Sequence, residues 1–122
     1  MDKKIMNYNL EKRTKTFAIN IIKFINSNDR NIVSDVLLKQ LLRSATSIGA
    51  NYREANRAES KKDFIHKISI VLKETSETNY WLELLSELDL HKNSELKLLL
   101  KESSELLAIF TTIHKKSKSP IP

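Results

Sequence analysis

The sequence predicts an all-α fold, a four-helix bundle with antiparallel up-down-up-down order. Its 122 residues include a single Gly and two Pro, and no segment alternates apolar and polar residues over the length of a strand. Instead, apolar residues recur at steps of three and four along four segments of similar length. Because short polar connections join these segments, we expect neighbouring helices to run antiparallel within one domain over residues 1–122.

The first two helices are predicted over residues 9–26 and 34–56. Asn9 is a plausible N-cap for helix one, and a run of Asn, Ser and Asp ends that helix. Ser34 then offers the N-cap of helix two, with the negative charge of Asp35 favourable in the first turn. The positions with helical spacing are Leu10, Thr14, Phe17, Ile21 and Phe24 in helix one, and Leu38, Leu41, Ala45, Ile48, Tyr52 and Ala55 in helix two.

The last two helices are predicted over residues 61–88 and 94–115, with a flexible tail over 116–122. Ser60 and Asp63 resemble a capping box that opens helix three. The core positions of helix three alternate in steps of three and four, as in helical bundles. They are Phe64, Ile68, Val71, Thr75, Thr78, Leu82 and Leu85.

A second stripe on helix three places two carboxylates in line with a tryptophan. It consists of Ile70, Glu74, Glu77, Trp81, Leu84 and Leu88. Burial of an unpaired carboxylate is unfavourable by several kcal/mol, so Glu74 and Glu77 need cationic or hydrogen-bonding partners. In an antiparallel hairpin that turns near residue 59, Arg43 lies within one turn of both.

Helix two carries a matching row of polar residues, Arg43, Ser47, Asn51 and Glu54. We predict that this row forms a polar seam with Glu74, Glu77 and Trp81, either between helices two and three or between copies of the chain. By the same register, Asn51 should lie near His66 and Lys67, and Glu54 should reach towards Lys61, Lys62 or Lys67. Such a seam can fix register or oligomeric state.

Positive charge is concentrated in the first half of the chain. The net charge is +6, from 21 Lys and Arg against 15 Asp and Glu. Residues 1–62 hold 13 basic and 6 acidic side chains, whereas residues 63–122 hold 8 and 9. The candidate nucleic-acid-binding residues are Lys12, Arg13, Lys15, Arg53, Arg57, Lys61 and Lys62. Solvated helix faces and a phosphate-binding surface are two readings that the charge alone leaves open.

The residue pattern favours a protein without catalytic, metal or cofactor sites. There is no Cys, no Gly-rich phosphate loop and no nucleophile motif. A di-metal bundle needs Glu-x-x-His on two helices, and this chain offers only Asp63-x-x-His66. Glu74 and Glu77 could be imagined as an acid–base pair, but a structural seam is the better explanation. No apolar run approaches the length of a membrane span, so we expect a cytoplasmic protein without a membrane segment.

Residues 41–85 resemble the four-helix-bundle proteins encoded in intervening sequences of bacterial 23S rRNA genes. In that family a helix of the form Arg-x-x-x-Ser-Ile-x-x-Asn-x-x-Glu precedes a Ser-led helix containing Phe and Glu-x-x-Glu-x-x-x-Trp. The positions of this chain that match are Arg43, Ser47, Ile48, Asn51, Glu54, Arg57, Ser60, Phe64, Glu74, Glu77 and Trp81.

The resemblance implies a cyclic homo-oligomer, with pentamers known among family members. It also implies a relation to the accessory variability protein of diversity-generating retroelements, in which a basic pentamer binds nucleic acid and a reverse transcriptase. We therefore expect a non-enzymatic oligomer that binds RNA or DNA, and with it a nucleic-acid-handling partner protein. The alternative is an oligomeric scaffold that docks a partner protein without binding nucleic acid.

Overall fold

The computed structural model describes residues 3–88 and 93–119, with side chains from residue 9 to 88 and from 94 to 119. The described residues form four α-helices and no strand, which confirms the all-α prediction. The helices are α1 (Lys3–Asn26), α2 (Ile32–Ala55), α3 (Lys61–Glu87) and α4 (Asn93–Lys118). Helix α2 packs along α1 and α3, and α3 also packs along α4, whereas α1 and α4 contact each other only slightly.

The caps of the first two helices differ from those predicted. Helix α1 begins six residues before Asn9, so this residue lies inside the helix. Helix α2 is capped by Asn31, whose Oδ1 accepts a hydrogen bond from the Ser34 backbone N–H at 2.9 Å. Ser34 completes a capping box, because its Oγ accepts a bond from the Asn31 N–H at 2.7 Å. The predicted cap is therefore the third residue of the helix, where it is buried.

Ser60 is the N-cap of α3 as predicted, since its hydroxyl accepts a hydrogen bond from the Asp63 backbone N–H at 3.0 Å. The Asp63 carboxylate pairs with Lys67 at 3.1 Å, so among the described residues only the Ser60 half of the predicted capping box is formed. Helix α4 continues to Lys118. It thus extends into the segment for which we predicted a flexible tail from residue 116, and residues 120–122 lie outside the described residues. The predicted turn after α3 includes residues 89–92, which the structure does not describe either.

All four helices contribute to one hydrophobic core. Its largest fully buried side chains are Tyr52, Phe17, Phe24, Phe110, Ile21, Leu41, Ile48, Ile68, Leu82, Leu85, Leu96 and Leu106. Two polar side chains within the core bond to each other: Thr78 Oγ1 donates to Ser44 Oγ at 2.8 Å, across the contact between α2 and α3. Helices α1 and α2 approach closely at Gly49, where an added Cβ would lie 3.1 Å from Thr14 Oγ1.

Candidate functional site

Arg43 joins α2 to two glutamates of α3. Its Nη1 donates to Glu74 Oε2 at 2.9 Å, and its Nη2 pairs with Glu77. The side chain of Glu74 is 10% exposed, whereas that of Arg43 is 49% exposed. The guanidinium therefore neutralises a nearly buried carboxylate from the solvent side. We call these three residues the Arg43 cluster.

The other members of the polar row do not cross to α3. Ser47 Oγ donates to the Arg43 carbonyl at 2.7 Å, and Asn51 Nδ2 donates to the Ser47 carbonyl at 2.8 Å. Both side chains thus bond to the backbone of their own helix. Glu54 is exposed, and the lysine predicted as one of its partners, Lys67, instead pairs with Asp63 at 3.1 Å.

The predicted seam is therefore shorter than the row of residues suggested. The structure brings only Arg43 to the two glutamates, because the remaining side chains are short or point outward on the turns nearer the end of α2. The pairing with Arg43 also gives Glu74 and Glu77, which could be imagined as an acid–base pair, a structural role.

Trp81 lies one turn beyond Glu77 and is half-buried against the core. Its ring contacts Tyr80 edge-on, with the ring centroids 5.2 Å apart. The indole N–H is buried and makes no hydrogen bond in the part of the chain that the structure describes. The role of this side chain inside one copy of the protein is therefore apolar packing.

Arg13 is engaged with α4, although we predicted it as a phosphate-binding residue. Its Nε and Nη2 donate to the two carboxylate oxygens of Glu102 at 2.8 and 2.7 Å, and Nη2 also contacts Glu105 at 3.2 Å. The hydrogen bond to Glu102 raises the pKa of the guanidinium above its usual value, against a smaller lowering by burial. We call Arg13, Glu102 and Glu105 the Arg13 cluster. Because its guanidinium is already paired with two carboxylates, Arg13 is a poor candidate for binding nucleic acid.

The position of Arg13 in the sequence already distinguishes it from its basic neighbours. It follows the buried Leu10 by three residues and precedes the buried Phe17 by four, so it borders the apolar face of α1. Glu102 occupies the same place between Leu99 and Leu106 of α4. A long side chain in such a position lays its apolar stem along the packed surface, which brings its charged end within reach of the neighbouring helix.

Three other predicted cations line one groove between α1 and α2. Lys12, Lys15 and Arg53 border it, together with Glu11, Thr16 and Ile19. Both lysines are exposed. Arg53 is 52% exposed, and its Nε lies 3.6 Å from Glu11 Oε1. A small-residue floor that includes Ala18, Thr46, Gly49 and Ala50 adjoins this groove.

The remaining predicted cations follow α2 towards α3. Arg57 and Lys62 are exposed. Lys61 is also exposed, and its Nζ lies 3.5 Å from the carbonyl oxygen of Ser119, at the end of α4. The predicted nucleic-acid-binding cations are thus distributed around the α2–α3 connection and the adjoining part of α1.

The described side chains offer no group of three His, Asp or Glu that could hold a metal ion. Among the described residues, no helix is long and apolar enough to cross a membrane. The chemistry that the surface presents is ionic: exposed ammonium and guanidinium groups around an open groove, able to contact phosphates.

A comparison with protein families decides where the chain belongs. The family described as 23S rRNA-intervening sequence protein matches residues 6–112. This protein is a member of that family. The match extends well beyond the residues 41–85 that carried the resemblance and includes all four helices.

A solved structure agrees with the family and with the fold. A protein of unknown function from the S23 ribosomal protein family of Bacteroides thetaiotaomicron VPI-5482 is 37% identical to this chain, with a TM-score of 0.75. The alignment covers 86% of this chain and 97% of that one. A comparison with curated proteins gave no match.

Proposed function

We propose that this member of the 23S rRNA-intervening sequence protein family is a non-enzymatic oligomer that binds nucleic acid, RNA in particular, through exposed lysines and arginines. The observation that carries the proposal is the groove in which Lys12 and Lys15 of α1 meet Arg53 of α2. Cations from two helices along one open groove suit a charged backbone, because phosphate contacts supply affinity without reading bases.

The proposed protomer is an antiparallel up-down-up-down bundle within a cyclic homo-oligomer, a pentamer if it follows the members of the family that it resembles. Two observations support antiparallel order for α2 and α3. Arg43 and Ser44 contact residues 74–78 of α3, and a short connection over residues 56–60 joins the two helices. Two helices that are joined by a short connection and pack along each other must run in opposite directions.

The test is a salt series of RNA and duplex DNA binding with three proteins: wild type, Lys12→Gln/Lys15→Gln, and the control Lys97→Gln/Lys101→Gln. The control removes the same charge from exposed positions on α4. We expect wild-type affinity to fall steeply with salt, and the groove variant to lower the slope of log K against log salt by about 1–2, whereas the control leaves it unchanged.

Two results would contradict the proposal: absence of binding at low salt, or binding that does not depend on salt. Tighter binding of duplex DNA than of RNA would support the groove as the binding site but would make DNA, not RNA, the preferred ligand. Light scattering of the same samples measures the oligomer, and a monomer at all concentrations would refute the oligomeric part.

An oligomeric scaffold that docks a partner protein without binding nucleic acid is the second candidate. Exposed aliphatic side chains on the first two turns of α2 favour it: Ile32 is 86% exposed, Val33 55% and Val36 57%. Ile32 and Val36 are one helical turn apart, so their side chains lie on the same face of α2 and offer an apolar surface to another protein. If the protein is such a scaffold, Val33→Ser/Val36→Ser should abolish its association with a partner protein or with itself. The groove variant Lys12→Gln/Lys15→Gln should leave that association unchanged.

A further inference from the structure

Charge is divided unequally between one end of the folded molecule and the rest. We call this end the basic end; it comprises residues 9–15 of α1, residues 50–67 from the end of α2 to the first turns of α3, and residues 108–119 at the end of α4. These segments hold 11 Lys and Arg against 4 Asp and Glu, a net charge of +7. The rest of the described side chains hold 7 basic and 9 acidic groups, a net charge of −2.

Contacts between the helices bring these segments together. Glu11 of α1 accepts a hydrogen bond from Asn56 Nδ2, just after α2, at 3.0 Å. Leu10 of α1 and Lys116 of α4 line one groove. Lys61, in the first turn of α3, lies 3.5 Å from the Ser119 carbonyl at the end of α4. Three segments distant in sequence therefore form one continuous surface.

The last turns of α4 contribute three further cations to the basic end, although they lie in the second half of the chain. Lys115, Lys116 and Lys118 are exposed and helical. Because they lie within about one turn of Ser119, whose carbonyl oxygen is 3.5 Å from Lys61 Nζ, they extend the basic surface of the α2–α3 connection, whereas in a flexible tail they would have no defined position.

We propose that Lys115, Lys116 and Lys118, together with Lys61 and Lys62, form a second contact site for the phosphodiester backbone of nucleic acid, across the basic end from the groove. This inference rests on the proposed function and extends it to a site built by α3 and α4. A backbone that engages both sites passes across the end of the bundle. Arg13 is excluded from this contact by its pairing with Glu102 and Glu105.

The experiment compares salt dependence of binding to a short RNA duplex by three further proteins. The test variant is Lys115→Gln/Lys116→Gln/Lys118→Gln. The matched control, Lys73→Gln/Lys97→Gln/Lys101→Gln, removes the same charge from exposed positions outside the basic end. A charge-preserving variant, Lys115→Arg/Lys116→Arg/Lys118→Arg, shows whether substitution at these positions lowers RNA affinity by disturbing α4 and not by removing charge. Circular dichroism verifies helix content in each.

We expect the test variant to lower the slope of log K against log salt by about 2–3, and the control and Arg variants to keep the wild-type slope. If the test variant binds like wild type while the groove variant Lys12→Gln/Lys15→Gln is impaired, the α4 site is refuted and the proposed function stands. An equal effect of the test and control variants would also refute it, since only net charge would then matter. Failure of wild type to bind would refute both proposals.

Discussion

Arg43 and Arg13 each connect two glutamates of a neighbouring helix, but they do so at different kinds of contact. The Arg43 cluster lies between α2 and α3, which pack along each other extensively, and its Glu74 side chain is 10% exposed. The Arg13 cluster lies between α1 and α4, which contact each other only slightly. Its glutamates are 30% and 52% exposed.

This difference implies different energetic roles. At the first contact, apolar packing already holds the helices together, and Arg43 is needed because packing has buried a carboxylate. At the second, water screens all three charged groups, so the pairing contributes little free energy. The Arg13 cluster therefore adds an exposed ionic contact between two helices that the shared hydrophobic core already holds in place.

The largest effect is expected for Arg43→Ala, which leaves the Glu74 carboxylate buried without its cation. We expect it to lower the free energy of unfolding by about 2–3 kcal/mol, measured by denaturant titration. Adding Glu74→Gln to this variant should recover part of the loss, because an amide carries no charge to be desolvated. A loss below about 0.5 kcal/mol, the size typical of an exposed pair, would show that the two clusters are energetically alike.

Arg13→Ala should have a smaller effect, a loss of about 0.5–1 kcal/mol in the same titration. Lys12→Ala, at an adjacent exposed position, is the control and should change the free energy of unfolding very little. High salt shortens the Debye length from about 10 Å to about 3 Å and should reduce the loss for Arg13→Ala more than that for Arg43→Ala. A loss for Arg13→Ala as large as that for Arg43→Ala would contradict the comparison.

The smallest effect concerns alkaline pH, where both arginines stay charged and the buried phenol of Tyr52 titrates instead. Burial raises the pKa of Tyr52 above its usual value of 10.0, and the charge of Glu11 adds to this, although a hydrogen bond with Asn56 opposes it. The folded state therefore retains the phenol proton more strongly than the unfolded chain. This contribution to stability is complete below pH 10 and is lost as pH rises above it.

Tyr52→Phe should accordingly show a weaker loss of stability above pH 10 than wild type, measured by urea titration at successive pH values. Tyr80→Phe is the control, because Tyr80 is exposed and its removal should leave the alkaline slope unchanged. Identical alkaline slopes for wild type and Tyr52→Phe would show that the phenol does not contribute.

The pairing of Arg43 with Glu74 and Glu77 could be anticipated from the sequence because α2 and α3 are neighbours along the chain. A short connection leaves one register open to them, so counting residues from the turn is enough. Helical periodicity likewise indicated the buried stripe of α3 from Ile68 to Leu85, all of whose core positions are buried. Residues 41–85 of the same two helices also carried the resemblance to the family.

The caps were less predictable, since Asn31 and Ser34 are both good N-cap residues three positions apart. The choice between them depends on burial of Ser34, which a local pattern does not specify. Glu54 illustrates the same limit, because the register placed it near lysines but did not say which way its side chain pointed.

The sequence by itself determined the four helices, the apolar face of each and the contact between α2 and α3, because these depend on residues near one another along the chain. Only the tertiary structure decided that Arg13 meets Glu102, 89 residues away, and that Lys61, in the first turn of α3, lies beside the end of α4. The physical reason is that periodicity shows which face of a helix is buried, but not which distant helix covers it. That pairing emerges only when all four apolar faces are buried together.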